Sequence, residues 1–474
     1  MTARPNKMRE ELTIDEAGGA RSGVEEARGD KSSAAAEPNT AAGVGRTDFS
    51  ARVARSELPT GAVLLVLENR ATPTVSLRAS LRAGSYFEPR DKPGLARLTA
   101  EMLERGTRRR TKLEIAGALE GVGAQLEFAA DPFAVGIEGR CLAEDLPALV
   151  STLAELLREP AFPADELEKL KQQHLAAVRE GQSNTRVRAY ERFSQLVFDP
   201  ANPFYTHTGE RLIESITATT VEDVRSFYEE RYGGRSLVLA VVGDVSAAAV
   251  REQFEAAFGE FAGPESVEIE VADPLGDGAR RETVLVREKA NVDIMLGSAA
   301  PLRRDAADYY AASIANSALG ESTLSSRLGL QVRDREGLTY GIASRFRAPS
   351  LAAGPWYIAV SVNPSNVERA IESSLAVLRD YVERGIGEGE LADEKSAAIG
   401  SFKVSLSTNA GLAEALWNAE FYRLGADFID RYPRLVEAVT SDEVNAAIRK
   451  YFRPDALTVV IAGDYEAAPN GPVE

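Results

Sequence analysis

Two stretches of this sequence place polar side chains at spacings that could do chemistry. The later one, Ser325-Ser326-Arg327-Leu328-Gly329-Leu330-Gln331-Val332-Arg333-Asp334-Arg335-Glu336-Gly337-Leu338-Thr339-Tyr340, sets Arg333 seven residues ahead of Tyr340. A guanidinium and a phenolic hydroxyl are donors suited to a peptide carbonyl whose oxygen gains charge as water attacks. The pair also has a structural reading, in which Arg333 caps a helix or salt-bridges locally and Tyr340 packs in a core or across a strand. The earlier stretch, Gly94 to Thr107, carries Arg97, Ala100 and Glu101. Arg97 is a fixed cation with no lone pair for a metal, whereas Glu101 is of a ligating type. His174 and His207 are the only histidines and Cys141 is the only cysteine, which leaves no disulfide framework and no thiolate metal cluster. Cys141 lies in an alternating apolar run and reads as a buried, inert thiol. His174 falls on an apolar helical face, where a lone histidine is packed or interfacial.

The elements that must position these residues follow from periodicity. Gly61 to Glu68 is apolar enough for a strand. Val75, Leu77, Ala79 and Leu81 alternate with Ser76, Arg78, Ser80 and Arg82, which predicts a half-buried strand ending at Gly84-Ser85. Leu95, Leu98 and Met102 recur at helical spacing, with Gly106 as terminator. The basic run Arg105 to Arg110, then Lys112, follows that helix and reads as a solvated loop. A further helix covers roughly Ala164 to Glu180, with Leu167, Leu170, His174 and Val178 on one face. Gly337 is expected to end the helix carrying Arg333, and Tyr340 to open a strand running through Ile342, Ser344 and Phe346.

The chain also repeats itself. Thr220–Asp244 aligns without gaps onto Thr440–Asp464, with identities at Thr220/Thr440, Val224/Val444, Leu237/Leu457, Gly243/Gly463 and Asp244/Asp464. Each copy reads as an N-capped helix, a turn, an apolar strand and a Gly-Asp stop. An alternating strand reaches Gly84-Ser85 in one half and Gly297-Ser298 in the other, so the order of elements favours internal duplication. Residues 1–47 contain no aromatic residue and read as a disordered tail, and Gly263 to Gly278 forms a Pro/Gly/acidic linker. The formal charge of −17 argues against general nucleic-acid affinity and suits solubility and a basic partner. No stretch approaches the ~18 apolar residues of a membrane span, and the N-terminus has no apolar signal region. The expectation is a cytoplasmic protein, or a periplasmic one if the N-terminus is misassigned.

The segment from Gly84-Ser85 and Glu88 through Gly94-Leu95-Ala96-Arg97 to Gly106-Thr107 resembles the zinc helix of the pitrilysin/insulinase family of metallopeptidases. That family carries an inverted zinc motif there: two histidines one helical turn apart bind zinc, and a glutamate serves as general base. On this resemblance, Arg97 stands at the first histidine, Ala100 at the glutamate and Glu101 at the second histidine. The third ligand, a glutamate on a later helix, falls at Ala177. All four zinc-chemistry positions are changed, so no catalytic residue and no metal ligand are expected in this chain. Ser325 to Tyr340 resembles the family's C-terminal substrate-binding segment, which implies that Arg333 and Tyr340 bind substrate.

The resemblance spans roughly Phe49 to the C-terminus. It implies an α/β (α+β) fold of two duplicated domains, each an antiparallel-rich sheet packed with helices, as in insulinase and the mitochondrial processing peptidase. The expected boundaries are a tail over 1–47, an N-terminal domain with a degenerate zinc site over 48–262, a linker over 263–279 and a C-terminal domain over 280–474. In this family peptides add as a strand to a sheet edge inside a chamber, and Gly123 to Glu138 occupies the place of that edge. The resemblance further implies a non-catalytic, substrate-binding subunit of a heteromeric zinc metallopeptidase. Zinc would sit on a homologous partner bearing the intact motif, and a peptide would be the substrate. The alternative is a non-enzymatic scaffold resembling the core proteins of the cytochrome bc complex.

Overall fold

The computed structural model describes residues 49–264, 267, 269–271, 274–275, 278–347 and 351–466. The expected tail over 1–47 and parts of the expected linker lie outside the described residues. Among the described residues, eleven strands form two sheets. The first contains β1 (Val53–Glu57), β2 (Val63–Glu68), β3 (Thr74–Leu81), β4 (Gln125–Ala130), β5 (Val135–Leu142) and β6 (Val238–Gly243), in the order β1-β2-β6-β3-β5-β4. The second contains β7 (Arg280–Leu285), β8 (Val292–Ala299), β9 (Ile342–Phe346), β10 (Pro355–Val362) and β11 (Thr458–Gly463), in the order β7-β11-β8-β10-β9. Only β2 with β6 and β7 with β11 pair in parallel. Both sheets are therefore antiparallel-rich, with one parallel seam each.

Helices α1 (Leu95–Met102), α2 (Lys112–Glu120), α3 (Leu146–Arg158), α4 (Ala164–Gly181), α5 (Thr185–Val197), α6 (Gly209–Ala218), α7 (Val221–Arg231) and α8 (Ala247–Phe258) come from the first half. The second half supplies α9 (Tyr309–Asn316), α10 (Val367–Arg384), α11 (Glu388–Ser405), α12 (Asn409–Phe421), α13 (Phe428–Glu437) and α14 (Ser441–Tyr451). The aligned segments adopt the same succession. Thr220 and Thr440 each close a capping box, with Asp223 and Glu443, at the start of α7 and α14. A 3₁₀ turn and an apolar strand follow in both, ending at Gly243 and Gly463. A Cβ at Gly243 would lie 2.2 Å from the Thr74 carbonyl oxygen, so glycine is required at that stop.

Register corrects the expected match between Gly84-Ser85 and Gly297-Ser298. Val238 pairs with Ser80, and its counterpart Thr458 pairs with Gly297, so Gly297 occupies the place of Ser80. Gly297 is a mid-strand residue whose Cβ would lie 2.3 Å from the Trp356 carbonyl oxygen. Gly84 lies beyond the end of β3, against the backbone of Asp131, Phe133 and Ala134.

Each sheet has a core against helices of its own half. Leu77, Ala79 and Leu81 meet Leu98 and Met102 in the first, and Ile294, Leu296 and Ile358 meet Ala315 and Ile448 in the second. The opposite faces are covered reciprocally. Helix α12 of the second half lies on the first sheet, packing Leu412, Leu416 and Trp417 against Leu65, Leu67, Ala240 and Val242. Helix α5 of the first half lies on the second sheet, packing Tyr190 and Phe193 against Met295, Tyr357 and Val460. This cover makes β3 buried on both faces rather than half-buried as its alternation predicts. Ser76 and Ser80 are enclosed, and Trp417 Nε1 donates to Ser80 Oγ at 2.8 Å. Arg78 stacks 4.6 Å from the Trp417 ring and pairs with Glu414 at 2.7 Å.

The basic run also departs from a solvated loop. Arg105 is largely covered and pairs with Glu166 at 3.8 Å, and Arg110 pairs with Glu155 at 2.7 Å. Carboxylates facing the run from α3 and α4 draw these guanidinium groups onto the fold. Arg109, paired with Glu159, stays mostly exposed. Cys141 is buried, and burial pushes its thiol up to about 11.

Candidate functional site

Helix α1 begins at Gly94, whose φ of +96° starts the turn, and Glu88 caps it. The Glu88 carboxylate accepts from the backbone N–H of Ala96 at 2.7 Å and of Gly94 at 3.1 Å, serving orphan donors of the first turn. Burial pushes this carboxyl up to about 7, against the lowering effect of the Ala96 and Gly94 hydrogen bonds. Leu95, Ala96, Leu98, Ala100 and Met102 are buried, so Ala100 belongs to the packed side of the helix.

Arg97 and Glu101, one turn apart, face α4. Arg97 Nε donates to Glu101 Oε1 at 3.0 Å, and His174 Nε2 lies 3.1 Å from Glu101 Oε2. His174 is 9% exposed in its side chain and Glu101 is 26% exposed, so their contact is shielded while Arg97 reaches solvent. Burial acts to raise the Glu101 carboxyl, but the His174 and Arg97 hydrogen bonds and charges outweigh it and hold it at about 2. Ala177, one turn beyond His174 on α4, contributes only a methyl group.

This arrangement does not fit zinc. The metal requires three protein ligands and an open position, and these positions supply one carboxylate already held by a guanidinium and an imidazole. Ala100 and Ala177 have no donor atom, and Arg97 brings a second positive charge to the place a cation would take. Among the described residues no group of three or more His, Cys, Asp or Glu is placed to hold a metal ion. The Glu101–His174 pairing was not foreseen from the sequence. Its signal is the coincidence of an acid on one helix and a histidine one turn before Ala177 on the other.

The Arg333 segment is an irregular helix. Residues Gly329–Arg335 wind as a π-helix, and Gly337 at φ +64° ends it, its N–H donating to the Arg333 carbonyl at 3.0 Å. Val332 and Leu338 anchor the segment in the second core. Arg333 is 32% exposed in its side chain and donates to its neighbour Asp334 at 2.6 Å. Thr339 is fixed on β10 by donating to the Ser361 carbonyl at 2.6 Å. Tyr340 follows in a bend and is 100% exposed. The expected strand therefore begins at Ile342 rather than Tyr340, because Thr339 diverts the chain at the sheet margin and turns the next side chain outward.

The two sheet margins differ. β4 lies at the edge of the first sheet, within the expected Gly123–Glu138 segment. At the edge of the second, the outward carbonyls of β9 are occupied: Thr323 Oγ1 donates to the Ile342 carbonyl at 3.1 Å, and Asn316 Nδ2 to that of Ser344 at 3.1 Å. No helix among the described residues is long and apolar enough to cross a membrane.

Comparison with known proteins places this geometry. Residues 64–199 match the insulinase (peptidase family M16) profile, and residues 218–398 match the peptidase M16 inactive-domain profile. An uncharacterised zinc protease of Streptomyces coelicolor is 24% identical over 418 residues, covering 86% of this chain and 89% of that protein. The non-peptidase homolog YmxG of Helicobacter pylori is 22% identical over 398 residues, covering 84% and 90%. Among solved structures, a peptidase M16 inactive domain from Pseudomonas fluorescens superposes with a TM-score of 0.81 at 26% identity, covering 89% of this chain and all of that one. A protease from Helicobacter pylori superposes at 0.78 with 17% identity, covering 87% and 99%. With both halves of the fold and both segments of sequence matched, the chain belongs to the insulinase (M16) family of peptidases and peptidase homologues.

Proposed function

We propose that this chain is the non-catalytic, substrate-binding subunit of a two-chain zinc metallopeptidase acting on peptides. The observation that carries the reading is a contrast. The four positions of the zinc chemistry hold Arg97, Ala100, Glu101 and Ala177, whereas Tyr340 stands fully exposed beside a preserved Arg333 segment. A solvent-facing tyrosine held between Thr339 and Gly341 contributes nothing to its own core and is free to meet a second chain. In this reading the homologous partner carries zinc and the general base. This chain's own residues donate an N–H from Arg333 and an O–H from Tyr340 to the scissile carbonyl as its oxygen gains charge. The name of the Helicobacter relative, a non-peptidase homolog, is consistent with inactivity of such a chain alone. The shared succession of α7-β6 and α14-β11 supports an origin by internal duplication.

The test is to purify the chain with and without a homologue bearing the intact zinc motif and to assay peptide cleavage. The chain alone should be inactive and the pair active. Arg333→Ala and Tyr340→Phe should each reduce the activity of the pair without preventing its assembly. Cleavage by this chain alone refutes the reading. A pair indifferent to both substitutions removes the assigned roles, and a stable assembly with no peptidase partner favours the scaffold.

A further inference from the structure

The exposed Tyr340 stands between two fixed points. On one side Leu338 is buried in the second core, and its N–H donates to the Val332 carbonyl at 3.1 Å. On the other side Ile342 is buried and pairs with Val360 on β10, and its carbonyl accepts from the Thr323 hydroxyl at 3.1 Å. Between these points Tyr340 and Gly341 are both exposed, and a Cβ at Gly341 would meet no atom of the described residues within 4 Å. Packing therefore does not fix the bend. A phenol on a loose bend would have to be ordered as substrate arrives, and a donor to a developing oxyanion is effective when it is already in place.

One buried hydroxyl supplies the missing constraint. The β9–β10 ladder ends at Ile342 and Val360, and one residue beyond it the Ser361 carbonyl accepts from Thr339 Oγ1 at 2.6 Å. The same oxygen accepts from the Gly341 N–H at 3.1 Å and lies 2.9 Å from the Gly341 carbonyl oxygen. Thr339 thus spans Tyr340 and ties the residue after it to the neighbouring strand. Its β-branched side chain is stiff at χ1, which keeps the hydroxyl aimed at that carbonyl. Arg333 is held differently, by the Asp334 carboxylate at 2.6 Å, so the clasp acts on one donor of the pair.

We infer that Thr339 is the positioning residue for Tyr340, its hydroxyl holding the bend so that the phenol is presented before the scissile carbonyl arrives. The inference rests on the proposed function for what Tyr340 does, whereas the clasp itself belongs to this chain and can be measured on it alone. Thr339 touches no substrate. Its contribution passes through the geometry of Tyr340 and should be read in kcat rather than KM.

Thr339→Val keeps the shape of the side chain and removes the hydroxyl, and Thr339→Ser keeps the hydroxyl. Amide hydrogen exchange on the full-length chain should find the Gly341 N–H protected in wild type and Thr339→Ser and unprotected in Thr339→Val, with cooperative unfolding retained in all three. In the pair with a zinc-motif homologue, Thr339→Val should lower kcat by about tenfold and change KM by less than about twofold, with Thr339→Ser restoring most of the loss. On a Tyr340→Phe background Thr339→Val should cost nothing further, because the hydroxyl it positions is gone. A Gly341 N–H that exchanges equally in wild type and Thr339→Val overturns the clasp. A Thr339→Val pair with the wild-type kcat, or one that loses as much on the Tyr340→Phe background, overturns the positioning role and leaves that of Tyr340 standing. A pair indifferent to Tyr340→Phe removes the role given to Tyr340 under the proposed function, and the positioning role with it.

Discussion

Replacing Glu101 by glutamine tests whether this carboxylate staples α1 to α4 through Arg97 and His174. The carboxyl is held at about 2 against an ordinary 4.5, with the His174 and Arg97 contacts outweighing burial. At ~1.4 kcal/mol per pKa unit, that difference sets an upper bound of about 3.5 kcal/mol on what the ionised form contributes. Arg97 is more than half exposed, so solvent screens its share to roughly 0.3–0.5 kcal/mol, as for other helical pairs one turn apart. The shielded His174 contact dominates the remainder, and Glu101→Gln should lose about 1–2 kcal/mol at pH 7. The sign follows from the depressed carboxyl. Its contribution is fully present above pH ~4.5, where the unfolded chain is ionised, and is lost as pH falls toward 2. Urea denaturation of wild type and variant at pH 7 and at successively lower pH measures both quantities. The gap between the two proteins should narrow as pH drops below 4.5, and EDTA should not shift the wild-type midpoint. A variant within 0.5 kcal/mol of wild type at pH 7, the scatter expected of a surface substitution, would refute the staple. So would a midpoint lowered by chelation.

Other perturbations separate stability from function. Trp417→Ala removes a buried ring and strands the Ser80 hydroxyl, and should cost about 3–5 kcal/mol in chemical denaturation. Expression of residues 48–262 alone should yield an aggregating product, since Leu65, Leu67, Ala240 and Val242 lose their cover. A monomeric, cooperatively folding fragment would contradict that. Tyr340→Phe should leave the thermal midpoint unchanged, because the side chain is fully exposed. Its effect on the assembled pair should be a fall in kcat on the order of 10²-fold, the loss typical of one donor to a developing oxyanion. Cys141 should react with a thiol reagent only at the rate of unfolding, given its burial and its raised pKa of about 11.

Local signals in the sequence carried a good part of the fold. The Thr220 and Thr440 caps, the Gly243 and Gly463 stops and the Ala164–Gly181 helix all rest on interactions spanning a few residues, which is why periodicity and capping rules locate them. β3 was legible on one face only. The partner of Ser80 is Trp417, 337 residues away, and no local pattern announces it. The chemistry of Arg97, Ala100, Glu101 and Ala177 was legible from their side chains, but the pairing of Glu101 with His174 brings together residues 73 positions apart on two helices. Tyr340 illustrates the opposite failure. A local rule extended the strand to include it, whereas Thr339 bonds to Ser361 and Gly341 and Tyr340 lies in a bend, fully exposed.

The exchange of α5 and α12 across the two sheets has a consequence for synthesis. The strands of the first sheet have all been made by Gly243, yet the helix that covers its second face begins only at Asn409. At typical translation rates, roughly 170 residues of further synthesis take about 10–40 s, during which that apolar face has no intramolecular cover. An N-terminal half that in other proteins would be finished on its own must here wait for a helix of the second half. The nascent chain thus presents Leu65, Leu67, Ala240 and Val242 to chaperones for much of its emergence, and synthesis of α12, rather than completion of the first sheet, sets the moment at which that sheet becomes covered on both faces.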